Sequence, residues 1–180
     1  MIKIQVLTAL LICFASNFAT AAAPFVVSAE GQEVTDTRTG LVWQRCVEGM
    51  AASKNGCSGT AAKFTFDEAI ARATAQSGNG KAWRVPTLNE LCYIANRSYK
   101  LPAIDPVAFP ETPEALWSSK PHARYATYAW FVSFAYGSVL NSFRDNAYRV
   151  RLVRHDSVLD ILSSSTPNTT LQAGDDCPKI

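Results

Sequence analysis

The chain has 180 residues, 17 Lys+Arg against 15 Asp+Glu, 48% apolar and 18% charged residues, and five cysteines. That is the profile of one globular domain with an ordinary core, and it excludes wholesale disorder and a collagen-like fibre. A formal charge of +2 is too small to announce a nucleic-acid binder, and no segment repeats at a fixed period, so solenoids and propellers are excluded too.

Met1-Ile2-Lys3, an apolar run from Ile4 to Phe18 and the small residues Ala19-Thr20-Ala21 predict a secretory signal peptide over residues 1–21. The purely apolar stretch Ala9 to Ala15 is far shorter than the roughly 20 residues a membrane span needs, so no span is expected after cleavage. Bulky Ile12 before Cys13 argues against a lipidated cysteine. Residues 22–32 then form an N-terminal segment, 33–155 the folded domain and 156–180 a tail. Losing Cys13 with the leader leaves Cys46, Cys57, Cys92 and Cys177, an even set that suggests disulfides in an exported chain. Three connectivities are open to four cysteines. Cys46 and Cys57 bracket a short loop, which favours that pair and leaves Cys92 with Cys177 to tether the tail. With no CxxC pair and no ligand partner near His122 or His155, neither a metal nor a cofactor is expected.

Residues 33–43, EVTDTRTGLVW, alternate around a polar centre with Thr39-Gly40 as turn chemistry and predict a β-hairpin. Residues 44–63 are rich in Gly, Ser, Lys and Ala and predict a loop. Thr65 and Glu68 fit a capping box opening a helix over about 66–77, with Phe66, Ala69, Ile70 and Ala73 on one face and Gly78 as a stop. Thr87 and Glu90 repeat that pattern after Pro86, predicting a second helix over about 88–96. The prolines between Leu101 and Pro113 predict an ordered loop with apolar anchors. Leu116 to Ser119 reads as a short strand, and Tyr128 to Tyr136 as a central strand apolar on both faces. Val139 to Phe143 and Tyr148 to Arg154 follow as strands completing an antiparallel meander, with Tyr148, Val150 and Leu152 facing inward and Arg149 and Arg151 outward. Trp43, Trp83, Trp117 and Trp130 are expected in the core.

The succession DTRTGLVWQRC, Cys57-Ser58-Gly59, a helix, WRVPTLNEL, AIDPVAFPETP, LWSS, YAWFVSFAYG and YRVRLVR over residues 33–154 resembles the bacterial collagen-like protein C-terminal (Lcl C-terminal) domain family. The resemblance implies a compact α+β, C-type-lectin-like unit related to sulfatase-modifying-factor folds, here with two helices, an antiparallel sheet and two disulfides. The family's best-known members sit at the tips of surface adhesins and bind sulfated glycosaminoglycans or host cells, often as trimers. The sequence departs from them in having no Gly-x-y stalk, so the oligomeric state stays open.

Charge is unevenly distributed. Between Trp117 and His155 the cations Lys120, Arg124, Arg144, Arg149, Arg151 and Arg154 face Asp145 alone. Sulfated or carboxylated glycans call for cationic donor forks beside aromatic platforms, and Tyr125, Tyr128 and Tyr148 are interleaved with these residues. The expected ligand-binding set is therefore Lys120, Arg124, Tyr125, Tyr128, Arg144, Tyr148, Arg149 and Arg151. Against it stands an ordinary solvated strand face, with Arg84 and Arg154 paired to structural carboxylates. Enzymatic signatures are missing: GxSxG, P-loop, HExxH, GxGxxG and EF-hand spacings do not occur, and adjacent His155-Asp156-Ser157 cannot form a triad. The sugar-binding triplets of calcium-dependent lectins are absent as well. The sequence thus predicts an exported bacterial recognition domain, periplasmic, secreted or on the cell surface, binding an anionic polysaccharide or a surface protein. A periplasmic interaction or accessory subunit without glycan binding is the alternative.

Overall fold

The computed structural model describes residues 24–156. The expected signal peptide, its cleavage site, the tail and Cys177 lie outside them. Strands β1 (Phe25–Val27), β2 (Glu33–Asp36), β3 (Leu41–Gln44), β4 (Met50–Ser53) and β5 (Gly56–Gly59) precede helices α1 (Phe66–Gln76) and α2 (Leu88–Ile94). Strands β6 (Ala115–Pro121), β7 (Tyr128–Ser133), β8 (Ser138–Phe143) and β9 (Val153–His155) follow. They form a four-stranded sheet ordered β1-β2-β3-β9, a two-stranded sheet β4-β5 and a three-stranded sheet β6-β7-β8, with antiparallel pairing throughout. The α+β class with two helices stands.

The motifs of the sequence explain themselves locally. Asp36 is fully buried and takes both Nε and Nη2 of Arg38 at 3.0 Å, while the Gly40 N–H donates to the Asp36 carbonyl at 2.8 Å. Gly40 turns the hairpin at φ 70°, a conformation glycine adopts without a Cβ clash. Both capping boxes close: Thr65 and Glu68 exchange hydrogen bonds at 2.9 and 3.4 Å, and Thr87 and Glu90 at 2.8 and 3.2 Å. Helix α1 buries Phe66, Ala69 and Ala73, and α2 buries Leu88, Leu91 and Ile94, each at the helical period.

Two apolar clusters result. One joins Val34, Leu41 and Trp43 of the first sheet to α2, the Pro-rich segment through Ile104 and Phe109, and Val132. The other packs α1 on β6-β7 around Trp117, whose ring meets Phe66, Phe131 and Tyr148 edge-on at 4.9 to 6.0 Å. The Trp117 indole N–H donates to the Phe64 carbonyl at 2.9 Å.

Four expectations are corrected. Residues 44–63 hold the β4-β5 hairpin where a loop is predicted. Its Ala, Gly and Ser residues have weak strand propensity, but the ladder from Met50–Gly59 to Ser53–Gly56 and the Cys46–Cys57 disulfide fix it. The central strand stops at Ser133, because residues 134–137 turn, with Gly137 at φ 69°. Two tryptophans, Trp83 and Trp130, are only half-buried, whereas Trp43 and Trp117 are core residues as expected.

The C-terminal segment does not extend the meander either. Tyr148 bridges Phe64, Arg149 bridges Leu116, and β9 pairs with β3 in the first sheet. Residues 150–153 run through the interior with Val150, Arg151, Leu152 and Val153 all fully buried, so the alternation there does not separate a dry face from a wet one. Of the two expected bridges, Cys46–Cys57 is present. Cys92 on α2 is disulfide-bonded, and its expected partner Cys177 lies outside the described residues.

Candidate functional site

The eight residues singled out for ligand binding divide between the inside and one end of the β6-β7-β8 sheet. Arg151 is fully buried and is not part of any surface. Its Nη1 donates to the carbonyls of Gln44, at 2.8 Å, and Arg45, its Nη2 to Thr112 Oγ1 at 2.9 Å, and its guanidinium lies 5.0 Å from the centroid of the Phe109 ring. Burial pushes its pKa down to about 9, so it remains a cation at neutral pH. It ties the first sheet to the Pro-rich segment. Tyr148 also works inward, stacked on Phe131 at 4.6 Å and reaching Ser142 Oγ with its hydroxyl at 3.2 Å. Arg149 is half-buried, with its Nε buried and lacking a hydrogen-bond partner among the described residues. Arg144 braces α1 against the sheet: it pairs with Asp67, donates to the Ala126 carbonyl at 3.4 Å and covers the Phe66 ring at 4.8 Å.

The other four, Lys120, Arg124, Tyr125 and Tyr128, gather where β6 hands over to β7. Period-two alternation turns Ala129 and Phe131 into the α1 core and leaves Tyr128 and Trp130 on the opposite face. Pairing with β8 sets Phe143 across from Tyr128, their rings 4.2 Å apart. His122 stacks on Trp130 at 5.2 Å with 15° between planes, and Tyr125 lies 5.0 Å beyond His122 and 6.0 Å from Tyr128.

The result is a shelf of five rings, with Tyr125 60% and Phe143 52% exposed. Exposed Arg124 and half-buried Lys120 each lie two residues from His122 in the chain. The connecting turn is held by the His122 ring itself. Its Nδ1 accepts the backbone N–H of Arg124 at 3.1 Å and of Tyr125 at 3.3 Å, which requires an unprotonated Nδ1. His122, Trp130 and Phe143 are functional candidates that reading the sequence missed. The spacing of His122, Tyr125, Tyr128 and Trp130 is visible in the chain, but the membership of Phe143 depends on register.

Elsewhere, Arg84 forks onto Glu90 at 2.6 and 2.7 Å, and Arg154 reaches Glu33 at 2.7 Å, the structural pairings foreseen for them. Burial raises the pKa of Glu90, but Arg84 and Thr87 outweigh it and hold the carboxyl below its ordinary value. No group of three or more His, Cys, Asp or Glu side chains suited to a metal occurs among the described residues. No helix among them is long and apolar enough to cross a membrane.

Fold and surface together define a small disulfide-stapled α+β domain with an exposed aromatic shelf. The family model of the Lcl C-terminal domain matches residues 32–154, and the chain belongs to that family. Comparison with curated proteins and with solved structures finds no match.

Proposed function

We propose that the protein is an exported, non-enzymatic recognition domain that binds an anionic polysaccharide on the shelf formed by Trp130, His122, Tyr125, Tyr128 and Phe143. The single observation carrying this reading is that these five rings are contiguous and partly exposed, with Lys120 and Arg124 each two residues from His122 in the chain. Sugar rings present C–H faces that pack on aromatic rings, while sulfate or carboxylate groups take charge-assisted hydrogen bonds from Lys and Arg. The Cys46–Cys57 disulfide fits an oxidising compartment, periplasmic or extracellular.

Compared with the sequence-based set, this reading keeps the cations Lys120 and Arg124 and sets aside Arg151, which is fully buried, Arg144, which pairs with Asp67, and half-buried Arg149. The aromatic part gains His122, Trp130 and Phe143 and loses Tyr148, which stacks inward on Phe131. Heparin-affinity elution tests the reading. The wild-type domain is retained at low salt, Lys120→Ser/Arg124→Ser elutes at lower salt, and Tyr125→Ala elutes earlier without a change in charge. Retention unchanged in both variants contradicts the proposal.

A second reading, an accessory subunit bound to another envelope protein, draws on a different surface. Leu101 and Tyr136, 70% and 64% exposed, each lie two residues from the hydrogen bond in which the Ala103 N–H donates to the Phe134 carbonyl. It predicts a stoichiometric protein companion on purification from the native envelope.

A further inference from the structure

A cleft of about 520 Å³ opens far from the shelf in chain terms, between the last turns of α1 and the β4-β5 hairpin. We propose that it is a second binding site, specific for a neutral pyranose unit, either free or within a longer glycan.

The cleft is built from polar groups already fixed in position. Glu48 is 5% exposed, and its carboxylate accepts Arg72 Nε at 2.6 Å, Gln44 Nε2 at 2.6 Å and Gln76 Nε2 at 3.4 Å. Gln44 is itself oriented, since its Oε1 accepts the Leu152 N–H at 3.0 Å. Glu33 takes Lys81 Nζ at 2.6 Å and Arg154 Nη2 at 2.7 Å. Trp83 closes one end, with Arg154 5.3 Å from its ring centroid. The opposite wall is β4, held by the Cys46–Cys57 disulfide. The floor needs glycine: Gly49 has φ 91°, and a Cβ there would lie 2.6 Å from the Ala62 nitrogen.

Charge selects the ligand class. The lining acids Glu33 and Glu48 are matched by the lining bases Arg72 and Lys81, so an anion meets two carboxylates and a cation meets two positive groups. A sugar hydroxyl both donates and accepts, so it can accept a hydrogen bond from Arg72 or Lys81 while donating one to Glu33 or Glu48. Arg72 reaches Glu48 through Nε, which leaves its Nη groups as donors, and the Gln amides offer both functions. Apolar lining for the pyranose C–H groups comes from Val47, Met50, Ala51 and Ala52, while the Trp83 indole lines the cleft with Arg154 over its ring. The volume lies within the range of small-ligand pockets and suits one or two rings.

This site is independent of the shelf, and one titration separates the two. Isotope-labelled full-length protein is titrated with N-acetylglucosamine, cellobiose, lactose and a sulfated heparin disaccharide up to about 20 mM, a range that registers millimolar affinity. At least one neutral probe is expected to shift the Gln44 and Gln76 side-chain amides and the Trp83 indole N–H saturably. Gln76→Ala, at the exposed end of α1, should weaken that binding about tenfold, while Tyr125→Ala leaves it unchanged. Arg72→Lys keeps the charge pair with Glu48 but loses the extra donors, and should weaken binding in the same direction. The proposal is overturned if no neutral probe shifts these signals, if the sulfated probe binds the cleft more tightly than the neutral ones, or if Gln76→Ala and Arg72→Lys both bind as wild type.

Discussion

Replacing Arg151 separates structure from recognition, because its sequence context reads as a ligand-facing strand residue and its surroundings are those of a core residue. Arg151→Ala removes one donor from each of three neutral acceptors, the Gln44 and Arg45 carbonyls and Thr112 Oγ1, and takes away the stem and guanidinium lying over Phe109. Hydrogen bonds from a charged donor contribute about 1.5 to 3 kcal/mol each, and they are not additive. Holding the cation away from water costs several kcal/mol, which the truncation recovers. The balance, with the cavity included, is a loss of about 3 to 5 kcal/mol in unfolding free energy. Arg151→Met refills most of the volume and leaves only the unpaired acceptors, so it should lose about 1 to 3 kcal/mol. Urea denaturation of the oxidised protein measures both. Arg124→Ser is the control, expected within about 0.5 kcal/mol of wild type because Arg124 is exposed. A loss below about 1 kcal/mol for Arg151→Ala would refute the assignment of Arg151 to the framework.

Three further outcomes follow from the same geometry. Replacing Cys46 and Cys57 by Ser opens a crosslink of sequence separation 11 and should cost roughly 3 kcal/mol in the chain-entropy model, read from denaturation midpoints. Trp117→Ala removes the ring shared by Phe66, Phe131 and Tyr148, with an expected loss of about 3 to 5 kcal/mol in the same assay. Glu33 and Glu90 both have folded pKa values below their ordinary value of 4.5, so their stabilisation is present above that pH and is lost as pH falls through the folded values. Glu90→Gln should flatten the acid limb of stability against pH below about 4.5, and an unchanged limb would contradict the role of the Arg84–Glu90 fork.

The parts of the fold legible in the sequence are those whose causes are local. Thr65 with Glu68 and Thr87 with Glu90 specify helix starts within four residues, and Asp36 to Gly40 specify a turn within five. What the sequence hides is decided at long range. Arg151 alternates with Val150 and Leu152 like a solvated strand residue, yet its acceptors lie 39, 106 and 107 positions away in the chain. The β4-β5 hairpin is weak in strand formers and owes its shape to a ladder and a crosslink. The positive segment is similarly deceptive: local counting sees six cations after Trp117, whereas Asp67 on α1 and Glu33 on β2 engage two of them from earlier in the chain. The stretches DTRTG, WRVPT and YRVRLVR largely build the framework. The shelf, by contrast, takes Tyr128 and Trp130 from one strand, His122 and Tyr125 from a turn and Phe143 from the register of the neighbouring strand.

The most direct test of the account is a shift map of the labelled domain titrated with a heparin-derived tetrasaccharide. Binding through the shelf predicts saturable shifts confined to residues 120–130 and Phe143, including the His122 and Trp130 ring signals, and their disappearance in Tyr125→Ala. Shifts centred elsewhere on the molecule, or no shifts at low salt, would contradict it.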